Sequence, residues 1–334
     1  MKILFDHPNP FLLAHGGFQA QIEQTKKGLE TEGLEVEWLR WWDANQTGDI
    51  IHYFGRPTAA YIQAAHAKGL KFVMAELLTG LGSRSRPQRL IQKALVQAAQ
   101  RFLPKDFSAR LGWEAYREAD ACVALTEWER KLMISTFRAR HVHVVPNGVE
   151  EIFLCSEPVK REDSLVCTAT ITPRKNVLKL AQAAVQAQTP LWIIGEPYTV
   201  EDSYFKNFLE FTRCHAEILR YEGGIRDRRQ MAQAYRKARG FVLLSTMESL
   251  SLSALEATAC ECPLMLSNLP WARTTFGDNA TYCSASSSTV EIARALRSFY
   301  DSAPTSPLPE KPKTWRGIAR DLHGIYGLVC KTSR

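Results

Sequence analysis

Residues 241–257 read Phe-Val-Leu-Leu-Ser-Thr-Met-Glu-Ser-Leu-Ser-Leu-Ser-Ala-Leu-Glu-Ala. An apolar run of strand length enters a short polar loop, and the apolar spacing then lengthens to that of a helix. Ser251 or Ser253 suits the N-cap of that helix. The backbone amides that follow, those of Ser251 and Leu252 first, would point with the helix dipole at an anion such as a phosphate. Two acids, Glu248 and Glu256, lie eight residues apart. Eight helical steps would leave them about 80° out of line. They therefore read as one glutamate in the loop and one on the helix, reaching different parts of one ligand. Glu256 stands in the apolar run Ala254–Cys260. A carboxylate there needs hydrogen-bond partners, and sugar hydroxyls would serve.

The same strand-then-helix alternation continues in both directions. Strands are expected at 2–5, 34–39, 50–54, 70–75, 121–125 and 142–145, then at 165–169, 191–194, 218–221, 241–244 and 263–266, with helices between them. Alternation of this kind gives parallel sheets in an α/β fold. Pro146-Asn147-Gly148 is a strong turn signal, and the stretch from Glu150 to Ser164 is polar and contains Pro158. The alternation stops there and restarts, which suits two domains in a chain of 334 residues. Ligands of such sheets sit at the carboxyl ends of the strands, so with two halves the natural site is the cleft between them. A last helix, near 314–329, carries Trp315, Ile318, Ala319, Leu322, Ile325, Tyr326 and Val329 on one face and should pack on a body already built.

The strand–loop–helix with Glu248 and Glu256 resembles the Glu-x7-Glu segment of glycosyltransferase family 4. The resemblance implies an α/β fold of the GT-B type, two Rossmann-like domains facing an interdomain cleft. It implies an acceptor-side domain over 1–155, a nucleotide-sugar-binding domain over 156–310, and a C-terminal helix over 311–334 that packs back on the body. Glu248 would contact the donor sugar and Glu256 the nucleotide ribose. Residues 170–177, Thr-Ile-Thr-Pro-Arg-Lys-Asn-Val, resemble the family loop that grips phosphate with an Arg and a Lys. Lys175 falls on the family Lys. Thr170 stands where the family has Arg, and Arg174 is the candidate to stand in for it. Gly16-Gly17, after His15, resembles a glycine loop that touches donor phosphate or acceptor; paired glycines allow close backbone approach. Gly195 lies at a strand end where the family binds nucleotide, and Ile225-Arg226 where its nucleobase rests. Glu76 occupies the place of the family's acceptor-side His. The segments 126–130 and 145–153 are also similar to the family.

What the resemblance implies is transfer of a sugar from a nucleoside diphosphate to an acceptor hydroxyl, with retention of configuration. Glu248 and Glu256 do not read as the carboxylate pair of a retaining hydrolase, which flanks one bond at about 5 Å. Lys175, Arg174 and the helix start would instead stabilise the departing diphosphate. These cations make a metal unnecessary, no acidic metal cluster is evident, and no cofactor is expected beyond the sugar nucleotide. A non-catalytic sugar-nucleotide-binding module is the alternative, motivated by Thr170 and Glu76. An epimerase of the same fold lacks its acid/base set. Gly80-Leu81-Gly82 has no third glycine, so a nicotinamide site is rejected, and no Walker pattern is present.

Composition is ordinary for a globular protein, with 45% hydrophobic and 23% charged residues. No apolar run reaches the roughly 18 residues of a membrane span. The N-terminus meets an acid and prolines too early for a signal peptide, so a cytoplasmic location is expected. Eight cysteines are scattered without a CxxC pair, which disfavours zinc or thioredoxin-like chemistry. The net charge is +7, yet the stretch 84–105 holds six basic residues and no acid. Charge concentrated in this way excludes a uniform nucleic-acid-binding surface. Within it, Leu90, Ile91, Ala94, Leu95, Ala98, Ala99, Phe102 and Leu103 form a helical face. That face would pack on the protein's own sheet, or lie with its cations on an anionic membrane surface, peripherally at the inner face. A packed helix could also present its charges to an anionic acceptor. Glycan or lipid-linked acceptors, in glycan or envelope synthesis, are what the family resemblance implies.

Overall fold

The computed structural model describes residues 1–8, 10–11, 16–102, 111–155 and 159–331. His15 and the Leu103–Lys105 end of the basic segment lie outside the described residues. The chain divides into two compact units, Met1–Gly148 with Lys313–Arg334, and Val149–Pro312.

The first unit runs β1 (Lys2–Asp6), α1 (Gly17–Thr31), β2 (Glu35–Trp38), β3 (Ile50–Phe54), α2 (Ala59–Ala67), β4 (Lys71–Ala75), α3 (Thr79–Gly82), α4 (Arg86–Phe102), α5 (Ala115–Glu118), β5 (Ala121–Ala124), α6 (Glu127–Phe137) and β6 (Val142–Val144). The second runs α7 (Glu151–Leu154), β7 (Leu165–Thr168), a 3₁₀ turn (Pro173–Lys175), α8 (Val177–Gln186), β8 (Leu191–Ile194), α9 (Ser203–Cys214), β9 (Leu219–Tyr221), α10 (Arg228–Lys237), β10 (Gly240–Leu243), α11 (Leu252–Ala259), β11 (Leu264–Ser267), α12 (Pro270–Phe276), β12 (Thr281–Cys283) and α13 (Thr289–Ser302). The last helix, α14 (Trp315–Lys331), returns to the first unit.

Both sheets are parallel and six-stranded, in the orders β2-β1-β3-β4-β5-β6 and β12-β11-β10-β7-β8-β9. Strands β3, β5, β7, β10 and β11 are buried at every residue, as expected of parallel strands covered on both faces. The order of the second sheet is that of the doubly wound dinucleotide fold, and it reverses between β7 and β10. The first sheet reverses between β1 and β3. A ligand site is expected at the carboxyl ends of the strands at each reversal.

The expected strands are all present, with no end moved by more than one residue. The exception is β12, which sequence reading missed: three residues, half-exposed at two of them, at the sheet edge. In α14 the seven residues expected on one face are all buried. They pack against α1, where Gly28 permits the approach; a Cβ there would lie 2.8 Å from the Trp315 carbonyl oxygen. Glu32 at the end of α1 accepts from Arg316 (2.6 Å) and Arg320 (3.1 Å).

The basic helix α4 is formed, but its broad apolar face is not packed. Leu90, Ile91, Leu95 and Phe102 are 59, 62, 63 and 77% exposed. The helix meets α6 through the opposite side, with Val96 buried and the Arg89 guanidinium over the Trp128 ring at 4.6 Å. At about 100° per residue, Arg89, Gln92 and Val96 form a stripe facing away from Leu90, Ile91 and Leu95. Packing of the apolar face on the protein's own sheet is therefore not what the described residues show.

Candidate functional site

In the second unit, the loops after β7 and β10 meet at the topological reversal. After β7 the chain makes the 3₁₀ turn 173–175, closed by Asn176 in the left-handed region (φ 58°). Asn, with its short polar side chain, tolerates that conformation better than most residues. The turn is stitched to the β10 loop by the Arg174 carbonyl, which accepts from the Thr246 amide (2.8 Å) and hydroxyl (3.1 Å). This brings three expected residues together. Lys175 Nζ donates to both Glu248 oxygens, at 3.1 and 2.9 Å. Arg174 donates to Glu248 Oε2 at 3.3 Å and to the Met247 carbonyl at 3.1 Å. Lys175 and Glu248 are each only 12% exposed at the side chain, so the ion pair is shielded from solvent screening. Thr170 is half-buried on the same loop, five positions before Lys175.

The helix that follows, α11, is capped by Ser251, whose hydroxyl accepts from the Ala254 amide at 3.3 Å. Ser253 instead hydrogen-bonds the Ser251 hydroxyl at 3.0 Å. Leu252 is the first helical residue. The positive end of α11 thus begins four residues after Glu248 in the same loop.

Glu256 lies on α11 and is almost enclosed, with 13% of its side chain exposed. Its oxygens are engaged by protein groups. Arg228 donates to Oε1, and Tyr235 donates to Oε2 at 3.1 Å. The Tyr235 hydroxyl also meets Thr168 Oγ1 at 2.7 Å, at the end of β7. Arg228 extends the network through Nε to Glu150 (2.6 Å), and its guanidinium lies over the Phe153 ring at 4.6 Å. Burial raises the Glu256 pKa, and the adjacent Arg228 charge works against that rise.

Arg228, Tyr235, Thr168 and Glu150 were not among the residues singled out from sequence. One signal was available for Arg228. It opens α10 directly after the N-cap Asp227, and the first turn holds no acid. A cation at a helix N-terminus opposes the dipole, and of the two arginines in this first turn Arg228 is the one that meets acids, Glu150 and Glu256.

Gly195 ends β8 at φ +155°, and a Cβ there would lie 1.9 Å from the Ala169 carbonyl oxygen. Its amide donates to the Gly223 carbonyl (3.0 Å) and its carbonyl accepts from the Tyr221 hydroxyl (3.1 Å). The loops after β7, β8 and β9 are thereby drawn together at the carboxyl edge of the sheet. Ile225 is half-buried and Arg226 exposed on the β9 loop.

In the first unit, Gly16 caps α1 at φ +130° and Gly17 is its first residue, at the β1 side of that sheet's reversal. Glu76 follows β4 with 17% of its side chain exposed. The Tyr116 hydroxyl donates to it, and Arg56 Nε stands 3.8 Å away. Burial raises the Glu76 pKa; Arg56 and the Tyr116 hydrogen bond oppose the rise. Among the described residues, no group of three or more His, Cys, Asp or Glu is placed to hold a metal ion. No described helix is long and apolar enough to cross a membrane.

The family described as glycosyl transferases group 1 matches residues 150–320. No curated protein matches the sequence. Among solved structures, sucrose-phosphate synthase from Thermosynechococcus elongatus superposes with a TM-score of 0.70 at 14% identity, over 99% of each chain. Anabaena HepE in complex with UDP-glucose gives 0.65 at 16% identity, over 99% of each chain. A glycosyltransferase from Rickettsia africae gives 0.65 at 12% identity, over 99% of this chain and 98% of that one. At these identities the likeness is one of fold.

Proposed function

Because the chain belongs to the glycosyl transferases group 1 family, we propose that it moves a sugar from a nucleoside diphosphate to an acceptor hydroxyl, with the donor held by the second unit. The fold is GT-B, with two Rossmann-like domains. The observation that carries the reading is the junction of Arg174, Lys175 and Glu248 at the β7/β10 reversal, beside the N-terminus of α11. HepE, of the same fold, is described in complex with UDP and with UDP-glucose, so UDP-sugars are the first donors to try.

In this reading a diphosphate exchanges places with the Glu248 carboxylate as the partner of Lys175 and Arg174. Glu248 then turns to the sugar hydroxyls. The two cations and the α11 amides around Ser251 and Leu252 stabilise charge on the departing diphosphate, the main contribution a protein makes to such a step. Arg174 supplies the second cation that Thr170 does not. Glu256 takes the ribose, while Gly195, Ile225 and Arg226 flank the nucleotide from the β8 and β9 loops. Gly16 and Gly17 serve the donor phosphate or the acceptor from the first unit, and Glu76 serves the acceptor. Glu248 faces Lys175 and Arg174, and Glu256 faces Arg228 and Tyr235, so we assign the two glutamates to different parts of the donor and not to a hydrolase pair. We assign same-face attack with retention, the leaving phosphate taking the acceptor proton, and no requirement for a divalent metal.

The exposed apolar face of α4 supports the further reading of an acceptor at an anionic membrane surface, the setting of a glycolipid or envelope acceptor. Leu90, Ile91, Leu95 and Phe102 enter the lipid boundary, and Arg86, Lys93 and Arg101 meet its charge.

A thermal-shift panel of UDP-, GDP-, ADP- and dTDP-sugars tests the donor reading. At about 100 times its Kd a ligand stabilises the folded state by about 2.7 kcal/mol, an easily read rise in Tm. One donor class should stand out, and a panel with no shift refutes the reading. Turnover on mixed glycolipid acceptors then separates an enzyme from a non-catalytic binding module, the second reading that Thr170 favours. NMR of the product anomer tests retention, and activity in EDTA tests metal independence.

A further inference from the structure

We infer that Arg228 is a positioning residue for the donor: it clamps Glu256 to Glu150, so that the carboxylate on α11 is aimed from two sides. The inference rests on the proposed donor reading, in which Glu256 receives the ribose. Three observations support it together. First, Arg228 uses different nitrogens for the two acids, Nε for Glu150 and a terminal nitrogen for Glu256. A guanidinium fork can do this in a fixed plane; an ammonium cannot. Second, that plane is fixed on its face by Phe153, which is fully buried. Third, Arg228 and Arg229 put two cations in the first turn of α10, against the dipole, with only the N-cap Asp227 beside them. The two carboxylates offset that cost.

The clamp also links separate parts of the unit. Glu150 directly precedes α7, Arg228 opens α10, and Glu256 lies in α11. Arg236, about two turns further along α10, donates to the Ile152 carbonyl at 2.6 Å and holds α7 on the same helix. Tyr235 supplies the second contact to Glu256 and passes it to Thr168 at the end of β7. The orientation of Glu256 is therefore set jointly by the first residues of the unit and by the strand that leads to Lys175.

The groups facing Glu256 determine how the clamp can be read out. They are Arg228 and Tyr235 from α10, Glu150 before α7, and Cys260 at the C-cap of α11. Tyr235 is buried with its pKa raised well above the ordinary value, and the Cys260 thiol is pushed up to about 12, so neither titrates near neutral pH. Burial and Glu150 push the Glu256 pKa up, while Arg228 and the Tyr235 hydrogen bond hold it down. Taking away the Arg228 charge leaves the upward push, so Glu256 becomes protonated at higher pH. A protonated carboxyl loses an acceptor for ribose hydroxyls, and binding weakens as pH falls.

The experiment is calorimetric binding of UDP, or of whichever nucleoside diphosphate the thermal-shift panel selects, to the full chain between pH 5.5 and 8.5. Affinities are expressed as the ratio of variant to wild type at each pH, which cancels titration of the ligand. Arg228→Met should bind about 10- to 100-fold more weakly at the acid end and recover part of that loss as pH rises. Arg228→Lys keeps the charge but not the fork, so it should be weaker by about tenfold at every pH. Adding Glu256→Gln to Arg228→Met should abolish the pH dependence. A ratio for Arg228→Met that does not change with pH, or an Arg228→Lys protein with wild-type affinity, overturns the inference. Should Arg228→Met not fold, Arg228→Lys decides it alone. If the wild type binds no nucleoside diphosphate, the donor reading fails and takes this inference with it.

Discussion

Replacing Leu90, Ile91 and Leu95 together by Ser should release the protein from anionic membranes while leaving it folded. The magnitude comes from the exposure of these side chains. Complete burial of a large aliphatic side chain is worth about 1.5–3 kcal/mol. Each of the three is 59–63% exposed, so transfer of the exposed part into the lipid boundary contributes about 1 kcal/mol or more apiece. Their joint loss is about 3 kcal/mol, or about 100-fold in partitioning. Because the three are already in water, the substitution should leave stability nearly unchanged. A charge variant addresses the other half of the interaction. Arg89 is a poor choice, since its guanidinium lies on Trp128 and its pKa is lowered by burial. Arg86→Gln, Lys93→Gln and Arg101→Gln remove three cations worth about 1 kcal/mol each near an anionic surface. That contribution should fade with salt, as the Debye length shrinks from about 10 Å at 0.1 M to about 3 Å at 1 M. The assay is co-sedimentation with liposomes of phosphatidylcholine, with and without phosphatidylglycerol. Wild type should pellet with the anionic vesicles at low salt, and each variant should remain in the supernatant. A wild type that ignores anionic vesicles at low salt, or a Ser variant that binds them unchanged, refutes the reasoning.

Lys175→Ala should weaken nucleoside diphosphate much more than free nucleoside, by about 10- to 100-fold for a charge-assisted contact; equal losses would mean that Lys175 acts through shape. Arg174→Ala should produce a smaller loss of the same kind, and no change in diphosphate affinity would reject it as the second cation. Glu256→Ala should raise the donor KM, whereas Glu248→Ala should chiefly lower kcat, each by about 10- to 100-fold; wild-type kinetics in both variants would remove these residues from the site. Gly195→Ala should destabilise by more than about 3 kcal/mol, because it adds strain at φ +155° to a 1.9 Å overlap with the Ala169 carbonyl. An unchanged urea midpoint would show that the β7 and β8 loops are not held as described.

The sequence makes the alternation of strands and helices legible because buried parallel strands are apolar throughout, as in Ile50–Phe54 and Leu264–Ser267. It makes Glu248 and Lys175 legible because each sits in a short polar interruption directly after such a strand. Arg228 escapes notice for a physical reason. Its partners Glu150 and Glu256 lie 78 and 28 residues away, and spacing says nothing about contacts made through the fold. Glu256 itself was marked by its apolar surroundings, and the same surroundings required the arginine: a nearly enclosed carboxylate in an apolar helix demands a donor from somewhere. Sugar hydroxyls could serve as that donor, and the structure supplies Arg228 and Tyr235 first.

The α4 face exposes a limit of periodicity. A helical stripe of leucine and isoleucine states that one side avoids water, but not which body covers it. For α14 that body is α1 of the same unit, and the seven apolar residues are buried. For α4 the inward side is the narrow stripe of Arg89, Gln92 and Val96, anchored by Trp128. The distinction lies in the partners of the charges. Helix α14 also carries an excess of bases, Arg316, Arg320 and Lys331 against Asp321, but Arg316 and Arg320 are paired with Glu32 at the end of α1, whereas α4 carries Arg86, Arg89, Lys93 and Arg101 with no acid. Arg89 lies on Trp128, but a helix that only packs on its own protein gains nothing from Arg86, Lys93 and Arg101. Uncompensated cations beside a broad apolar face are therefore better explained by an anionic surface outside the molecule than by the core within it.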